Sequence, residues 1–320
     1  MRFEWRSAAI VLLSAALALS AGCGSDKKDD STADSERFRV PDSLLSPIEA
    51  YNLTVDEYHP VNGGIMANKD VELRYPARDI ARFIATRSFS GIIKGYEHVK
   101  EDIGRPTAGK LVIIGALDLP EYAVMTRKEW WYYGWIKGDT IYSEPLDILL
   151  KRWDPITGRT LSEVGFTQRM AQMALDGLSG GRIPVWMKES AASYVADERL
   201  ILRIQISQYS DILSGFSPPL DELEAHIHEG TDMAMSRLSY FFVYRMLENL
   251  LEKHEFASVT RFARLLGKGA TLDEASITEF GLSYREMIEA VRPADILDGA
   301  GPIPEPEPEV KEGHDHDHDH

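Results

Sequence analysis

The C-terminus of the chain carries the residues best suited to metal chemistry. Four histidines, His314, His316, His318 and His320, alternate there with three aspartates. Neutral imidazole is a common metal ligand, so we expect this tract to bind zinc, nickel or copper loosely, and more strongly as the rings deprotonate above about pH 6.5. The alternation differs from the unbroken histidine run of a purification tag. The tail is expected to lie outside the folded part of the chain.

A second group of possible metal ligands lies within the chain. His226, His228 and Glu229 supply two imidazoles and a carboxylate within four residues, and an extended segment with this spacing can chelate a metal from one side. Gly230 and the nearby Pro218-Pro219 favour a solvated, irregular loop instead. We therefore expect no metal centre from this group.

A third polar group is centred on Glu189. Trp186 and Glu189 are three residues apart, so they share a face of any helix that contains both. The surrounding run, residues 181–194, reads Gly-Arg-Ile-Pro-Val-Trp-Met-Lys-Glu-Ser-Ala-Ala-Ser-Tyr. It resembles a signature of the gluzincin-type, peptidase-MA-like metallopeptidases, and the similarity extends over most of residues 70 to 295. The resemblance implies that Glu189 stands where that family has its third zinc ligand.

The catalytic position of that family carries different residues here. An active member has H-E-x-x-H on the preceding helix, where the two histidines bind zinc and the glutamate deprotonates the bound water. This chain has Gln168-Arg169-Met170-Ala171-Gln172 at that place. An amide is a weak zinc ligand, and a guanidinium stays protonated and cannot act as a base. The resemblance therefore implies a peptidase fold without hydrolysis, and we expect no cofactor in the domain.

A carboxylate buried where zinc would lie requires a compensating partner. Arg169, next to Gln168 on the preceding helix, is the candidate, and we hypothesise that its guanidinium substitutes for the metal by pairing with Glu189, while Gln168 and Gln172 hydrogen-bond to the same group. The alternative is that these three residues form only a polar helix face. Ser236 aligns with a tyrosine that often stabilises the oxyanion in the resembled family.

Aromatic residues are crowded into positions 130–135. Strand alternation would send Trp131, Tyr133 and Trp135 to one side of a strand. Together with Trp186 they form a predicted cleft for a peptide or glycan, because a strand near this position borders the active site in the resembled family and can receive an extended peptide by edge pairing. The same rings could instead cover the junction between the sheet and the helices.

The N-terminal segment has the composition of a bacterial lipoprotein signal. Residues 1–22 place two arginines before a short apolar run and end in small residues, directly before the single cysteine of the chain, Cys23. This pattern resembles a lipobox, although Ser20 stands where leucine is usual, and it implies cleavage before Cys23 and acylation of its thiol. Residues 23–42 would be the lipidated cysteine and a flexible tether. An ordinary signal peptide that leaves a free thiol is the alternative.

Hydrophobic patterning indicates an α+β fold. Strands are predicted at Val71 to Tyr75, Lys110 to Ala116 and in a hairpin around Gly138, with a packed helix from Arg78 to Val99. The chain after Asp147 reads as helical.

Capping boxes at three positions predict where helices begin, and Pro184 predicts a fourth start. These boxes pair Thr160 with Glu163, Thr271 with Glu274 and Ser283 with Glu286. We expect a small mixed sheet and then a mainly helical, zincin-like lobe within residues 43–298, followed by a disordered Pro/Glu and His/Asp tail at 299–320.

Composition excludes several functional classes. The 320 residues are 44% hydrophobic and 27% charged, with a formal net charge of -16, which disfavours binding to nucleic acid or anionic lipid. The predicted function is a lipid-anchored pseudopeptidase of the bacterial envelope that binds or scaffolds peptides or envelope components. Gly24 and Ser25 favour the outer membrane over the inner one. Two alternatives stay open: an active zinc peptidase with unorthodox ligands, and a metal-capturing lipoprotein that acts through its tail.

Overall fold

A mixed five-stranded sheet forms the N-terminal part of the structure. The computed structural model describes residues 63–76, 81–126, 134–146, 161–207, 209, 215–229, 232–294 and 296. The strands are β1 (Gly63–Ala67), β2 (Val71–Pro76), β3 (Leu111–Gly115), β4 (Trp135–Lys137) and β5 (Thr140–Ser143). Their order in the sheet is β1-β2-β3-β5-β4.

The central three strands are parallel and the two outer strands are antiparallel. Leu73 pairs with Ile113 in the β2/β3 ladder, and Ile113 pairs with Ile141 in the β3/β5 ladder. These residues are fully buried and lie side by side on one face of the sheet, the face that packs into the hydrophobic core. Trp135 pairs antiparallel with Tyr142 across the β4/β5 hairpin, so β4 is an edge strand of the sheet that the structure describes.

Helices make up most of the remaining described chain. Their bounds are α1 (Ala81–Asp102), α2 (Leu119–Thr126), α3 (Leu161–Ser179), α4 (Val185–Val195), α5 (Arg199–Ser207), α6 (Leu220–Glu229), α7 (Met233–Leu251), α8 (Phe256–Gly267), α9 (Leu272–Phe280) and α10 (Tyr284–Val291). Helix α1 connects the parallel strands β2 and β3 and lies against α3. Helix α3 also packs on α4 and α8, which makes it the central helix of the helical part.

One continuous hydrophobic core joins the sheet to the helices. It includes Ile113 on the sheet, Trp186 on α4 and Phe242 on α7, all of which are fully buried. A smaller cluster around Tyr122 and Tyr142 lies between α2 and the sheet. The five-stranded mixed sheet followed mainly by helices confirms the predicted α+β class.

Two glycines allow the helices around α3 to approach closely. A Cβ atom on Gly95 of α1 would lie 2.3 Å from Thr167 Oγ1, and one on Gly267 of α8 would lie 2.0 Å from the carbonyl oxygen of Leu178. Both separations are far below van der Waals contact. Glycine at these two positions therefore sets the position of α3 between α1 and α8.

The local signals for helix starts are largely confirmed. Both capping-box interactions are present at Thr271 with Glu274 and at Ser283 with Glu286, and Pro184 is the N-cap of α4. Thr160 lies outside the described residues. No helix in the described ranges is both long enough and apolar enough to cross a membrane.

The predicted irregular loop around His226 is wrong. Both His226 and His228 lie on α6, which begins directly after Pro219 and carries Asp221 and Glu222 in its first turn. Proline fits the start of a helix, and acidic side chains there interact favourably with the helix dipole, so the local sequence supports a helix despite Gly230 nearby. Residues two apart on a helix point in different directions, so the two imidazoles are not arranged for one metal ion.

Candidate functional site

Helices α3 and α4 bring the predicted polar residues together. Gln168 and Gln172 are one turn apart on α3, and Glu189 lies opposite them on α4. The Gln172 amide nitrogen donates a hydrogen bond to Glu189 Oε2 over 2.5 Å, while the Gln168 amide nitrogen donates to Ser193 Oγ over 3.0 Å. The exposed fractions are 5% for Gln168, 3% for Gln172 and 8% for Glu189, so the contacts lie inside the protein.

Arg169 reaches Glu189 through Gln172. Its Nη1 donates to Gln172 Oε1 over 2.9 Å, and the other end of the same amide binds Glu189. The guanidinium is 5% exposed and its positive charge lowers the pKa of Glu189. The expected pairing of the Arg169 guanidinium with Glu189 is therefore not direct: one glutamine amide bridges the cation and the carboxylate, and Gln168 binds Ser193 instead of Glu189. We call Gln168, Arg169, Gln172, Glu189 and Tyr240 the Glu189 network.

Tyr240 is a member of this network that the sequence analysis missed. Its hydroxyl lies 3.4 Å from Glu189 Oε2 and donates to it, although 51 residues separate the two in the chain. The only sequence signal was that Tyr240 follows Ser236 by one helical turn, on the same face of α7. Ser236 itself is buried and its hydroxyl donates to the carbonyl oxygen of His226 over 2.5 Å. The hydroxyl that meets Glu189 therefore comes from the next turn of α7.

Burial dominates the electrostatics of Glu189. Loss of hydration raises the pKa of this carboxyl above its ordinary value of 4.5. Arg169 and Lys188 oppose the shift through their positive charges, Asp176 adds to it, and the hydrogen bond from Tyr240 opposes it. Because desolvation is the largest of these effects, the neutral acid is favoured more in the folded protein than in water.

The first turn of α4 is fixed by side chains of three other helices, α6, α10 and α3. Its N-cap Pro184 supplies no side-chain cap, and Glu224 of α6 instead accepts a hydrogen bond from the Trp186 backbone nitrogen over 3.0 Å. The Trp186 indole donates to the Tyr284 hydroxyl over 2.9 Å, and the ring is fully buried. Lys188 also pairs with Asp176 of α3 over 3.1 Å. Trp186 was predicted to line a cleft; the structure places it in the core, where it positions Glu189.

The edge of the sheet begins directly beside Arg169. Gly134, immediately before β4, has a φ of +65°, and a Cβ atom there would lie 3.4 Å from Arg169 Cγ and 3.5 Å from its Nε. Trp135 follows on β4, half-buried against the small cluster around Tyr122 and Tyr142. The other two predicted cleft residues, Trp131 and Tyr133, lie outside the described residues.

The donor set of the Glu189 network does not suit zinc. It offers one carboxylate and two amides, with a permanent cation hydrogen-bonded to one of those amides. Within the described ranges, no group of three or more His, Cys, Asp or Glu residues is placed to hold a metal ion. Cys23 and the tail histidines lie outside those ranges.

Comparisons with known proteins add no relative to this description. No family model, curated protein or solved structure matches the chain.

Proposed function

We propose that this protein is a pseudopeptidase of the bacterial envelope, which binds peptides or envelope components on a peptidase-like scaffold without cutting them. The observation that carries the proposal is the bridge from Arg169 through Gln172 to Glu189. Arg169 stands at the position of the general base in an active member of the resembled family. Gln172 and Glu189 stand at the positions of two of its zinc ligands.

The chemistry of these residues opposes hydrolysis. A zinc peptidase needs a base that accepts a proton from the bound water, whereas Arg169 is a permanent proton donor. Gln172 uses its oxygen for Arg169 and its nitrogen for Glu189, and the Gln168 nitrogen is used for Ser193. The network is therefore suited to holding α3, α4 and α7 together.

The edge strand β4 is the proposed binding element. It stands at the end of the described strand order, next to β5, and edge strands can receive an extended peptide by backbone pairing. Gly134 places the start of this strand over Arg169. A peptide on β4 would thus pass beside the Glu189 network without meeting a nucleophile there.

Metal analysis of the full-length chain tests the proposal. The four tail histidines would be replaced by alanine, so that loosely bound metal does not obscure the result, and zinc content would be measured together with hydrolysis of a generic peptide substrate. We expect neither a stoichiometric zinc nor chelator-sensitive hydrolysis. One tight zinc per chain together with such hydrolysis would establish the active peptidase instead.

A restored variant serves as the matched control. Gln168→His, Arg169→Glu and Gln172→His together rebuild the H-E-x-x-H pattern in the same chain. If this variant stays folded by circular dichroism and gains zinc, the assay can detect a metal beside Glu189, which makes the negative result for the parent meaningful.

The membrane anchor is a separate part of the proposal. Two acyl chains on Cys23 would bind a membrane far more strongly than any single one. We expect the intact mass of the mature protein to include the acyl groups, and Cys23→Ser to move the protein from the membrane fraction to the soluble fraction. An unmodified thiol at Cys23 would contradict the anchor and leave the pseudopeptidase proposal untouched.

A further inference from the structure

A cavity of about 690 Å³ lies apart from the Glu189 network, between α1, α3, the end of α4, the start of α5 and α7. Three of its walls are built from side chains one helical turn apart. Lys94 and His98 come from α1, Glu163 and Thr167 from α3, and Tyr244 and Glu248 from α7. The volume falls in the range of small-molecule sites.

Tyr244 presents an unpartnered hydroxyl to this cavity. The residue is only 3% exposed, yet its hydroxyl has no hydrogen bond to any residue that the structure describes. Burial raises the pKa of the phenol, so it stays protonated and available as a donor. The hydroxyl is not among the enclosed side-chain atoms that lack a hydrogen-bond partner, so it is reached from the cavity and can donate to a ligand there.

Two cations, Lys94 and Arg199, line the same cavity as Tyr244 and can also donate to a ligand. Arg199 binds Glu248 through Nε over 2.9 Å, and its side chain is half exposed. Arg245 contacts the same Glu248 from α7, which neutralises that carboxylate. The Lys94 ammonium has no ion pair within the described ranges. These three donors, from Lys94, Arg199 and Tyr244, are the complement of a carboxylate.

Acidic side chains in the lining outnumber its two permanent cations, Lys94 and Arg199. They are Asp102, which lies 3.6 Å from His98 of the same wall, Glu163, Asp197 and Glu248. This charge disfavours a ligand with several negative charges and favours one that also carries an ammonium group. Asp197 has a φ of 56°, the one positive φ among described residues other than glycine, and such backbone strain is concentrated at binding sites.

We propose that this cavity binds a short peptide in its zwitterionic form. The carboxylate of the ligand meets the donors of Lys94, Arg199 and Tyr244, and its ammonium group meets the acidic part of the wall. A cavity of about 690 Å³ has room for two or three residues, whereas a single amino acid would fill only a small part of it. The inference is independent of the proposed function, because none of the lining residues belongs to the Glu189 network.

Isothermal titration of the full-length protein tests this site. The probes are L-alanyl-L-alanine, its C-terminal amide, its N-acetyl derivative, free L-alanine and inorganic phosphate. We expect the dipeptide to bind and both blocked forms to bind at least about tenfold more weakly, since each loses one charge-assisted contact. Binding of phosphate or free alanine as tight as that of the dipeptide would overturn the assignment to peptides.

Two variants link the binding to the cavity. Tyr244→Phe removes only the hydroxyl, and Lys94→Gln removes the exposed ammonium; each should weaken dipeptide binding by about three- to tenfold, as expected for one hydrogen bond. Lys100→Gln makes the same charge change on α1 at a position outside the cavity and should have no effect. No dipeptide binding at millimolar concentration, or binding that neither cavity variant weakens, would overturn the proposal.

Discussion

The two polar regions that α3, α4 and α7 share use their hydrogen-bonding groups in opposite ways. In the Glu189 network the side chains satisfy one another, from Arg169 through Gln172 to the carboxylate. In the cavity beside α1, the Tyr244 hydroxyl and the Lys94 ammonium have no described partner. A region whose donors are consumed internally is suited to structure, whereas one whose donors stay open is suited to binding.

The two regions should therefore respond differently to substitution, one in stability and the other in ligand binding. Changes in the network should alter the free energy of unfolding, because each group there has a partner to lose. Changes at the open donors of the cavity, Tyr244 and Lys94, should alter ligand affinity and leave the free energy of unfolding nearly constant. Measurements on matched pairs of variants can therefore support or contradict the comparison.

The largest effect is expected at Gly267, which fixes the position of the helix common to both regions. In Gly267→Ala the new Cβ would lie 2.0 Å from the carbonyl oxygen of Leu178, so α3 or α8 must move. We expect a loss of about 3 kcal/mol or more in the free energy of unfolding, as for severe overpacking. Urea denaturation would measure it.

Gly177→Ala on α3 is the control for this prediction. A Cβ atom at Gly177 has open space around it, and alanine favours a helix over glycine by up to about 1 kcal/mol. This variant should be as stable as the parent or more so. Equal stability of the two glycine variants would show that α3 is not held by the contact at Gly267.

The sequence predicted the elements whose signals are local. The strand at Val71 and the helix starts at Thr271 and Ser283 depend on periodicity and on residues three apart, and all appear where expected. The hydrogen bond from Gln172 to Glu189 was also expected, because a buried carboxylate requires a polar partner. Local patterns were misleading for His226, where Gly230 suggested a loop and the helical start after Pro219 was overlooked.

Contacts between distant segments could not be predicted in the same way. Tyr240 reaches Glu189 from 51 residues away, and its position depends on how α7 packs on α4. The cavity is lined by residues of five helices, and its donors Lys94 and Tyr244 are 150 residues apart in the sequence. No spacing rule within one segment connects such residues, so only the packed structure shows that they line one space.

The second test compares two carboxylates, Glu189 of the network and Glu248 of the cavity wall. The pKa of Glu189 is raised above 4.5, so the folded state binds this proton more tightly than the unfolded chain does. Stability from Glu189 is then fully present below about pH 4.5 and is lost as the pH rises through the folded pKa. Glu189→Gln keeps the shape and removes the charge, so we expect it to be more stable than the parent at pH 7, with an advantage that shrinks towards pH 4.

Glu248 should respond with the opposite sign. It accepts hydrogen bonds from Arg199 and from the buried Arg245, so Glu248→Gln removes the charge that compensates two guanidinium groups. We expect a loss of about 2 kcal/mol at pH 7, typical of hydrogen bonds to charged groups. Denaturation of both variants across the pH range would measure the contrast. A loss of stability at pH 7 in Glu189→Gln as large as that in Glu248→Gln would mean that the Arg169 charge outweighs burial at Glu189.

The smallest effect, and the most direct comparison, comes from two tyrosines one turn apart on α7. Tyr240→Phe removes a donor from Glu189 and should cost about 1 kcal/mol, since the buried carboxylate loses a partner. Tyr244→Phe removes a hydroxyl that has no described partner and should change the free energy of unfolding by less than about 0.5 kcal/mol. The two variants share the helix, the residue type and the deleted atom, so helix propensity and lost volume largely cancel between them. Equal losses in urea denaturation would contradict the distinction between a closed network and an open cavity, because the Tyr244 hydroxyl would then be stabilising the fold in the absence of a ligand.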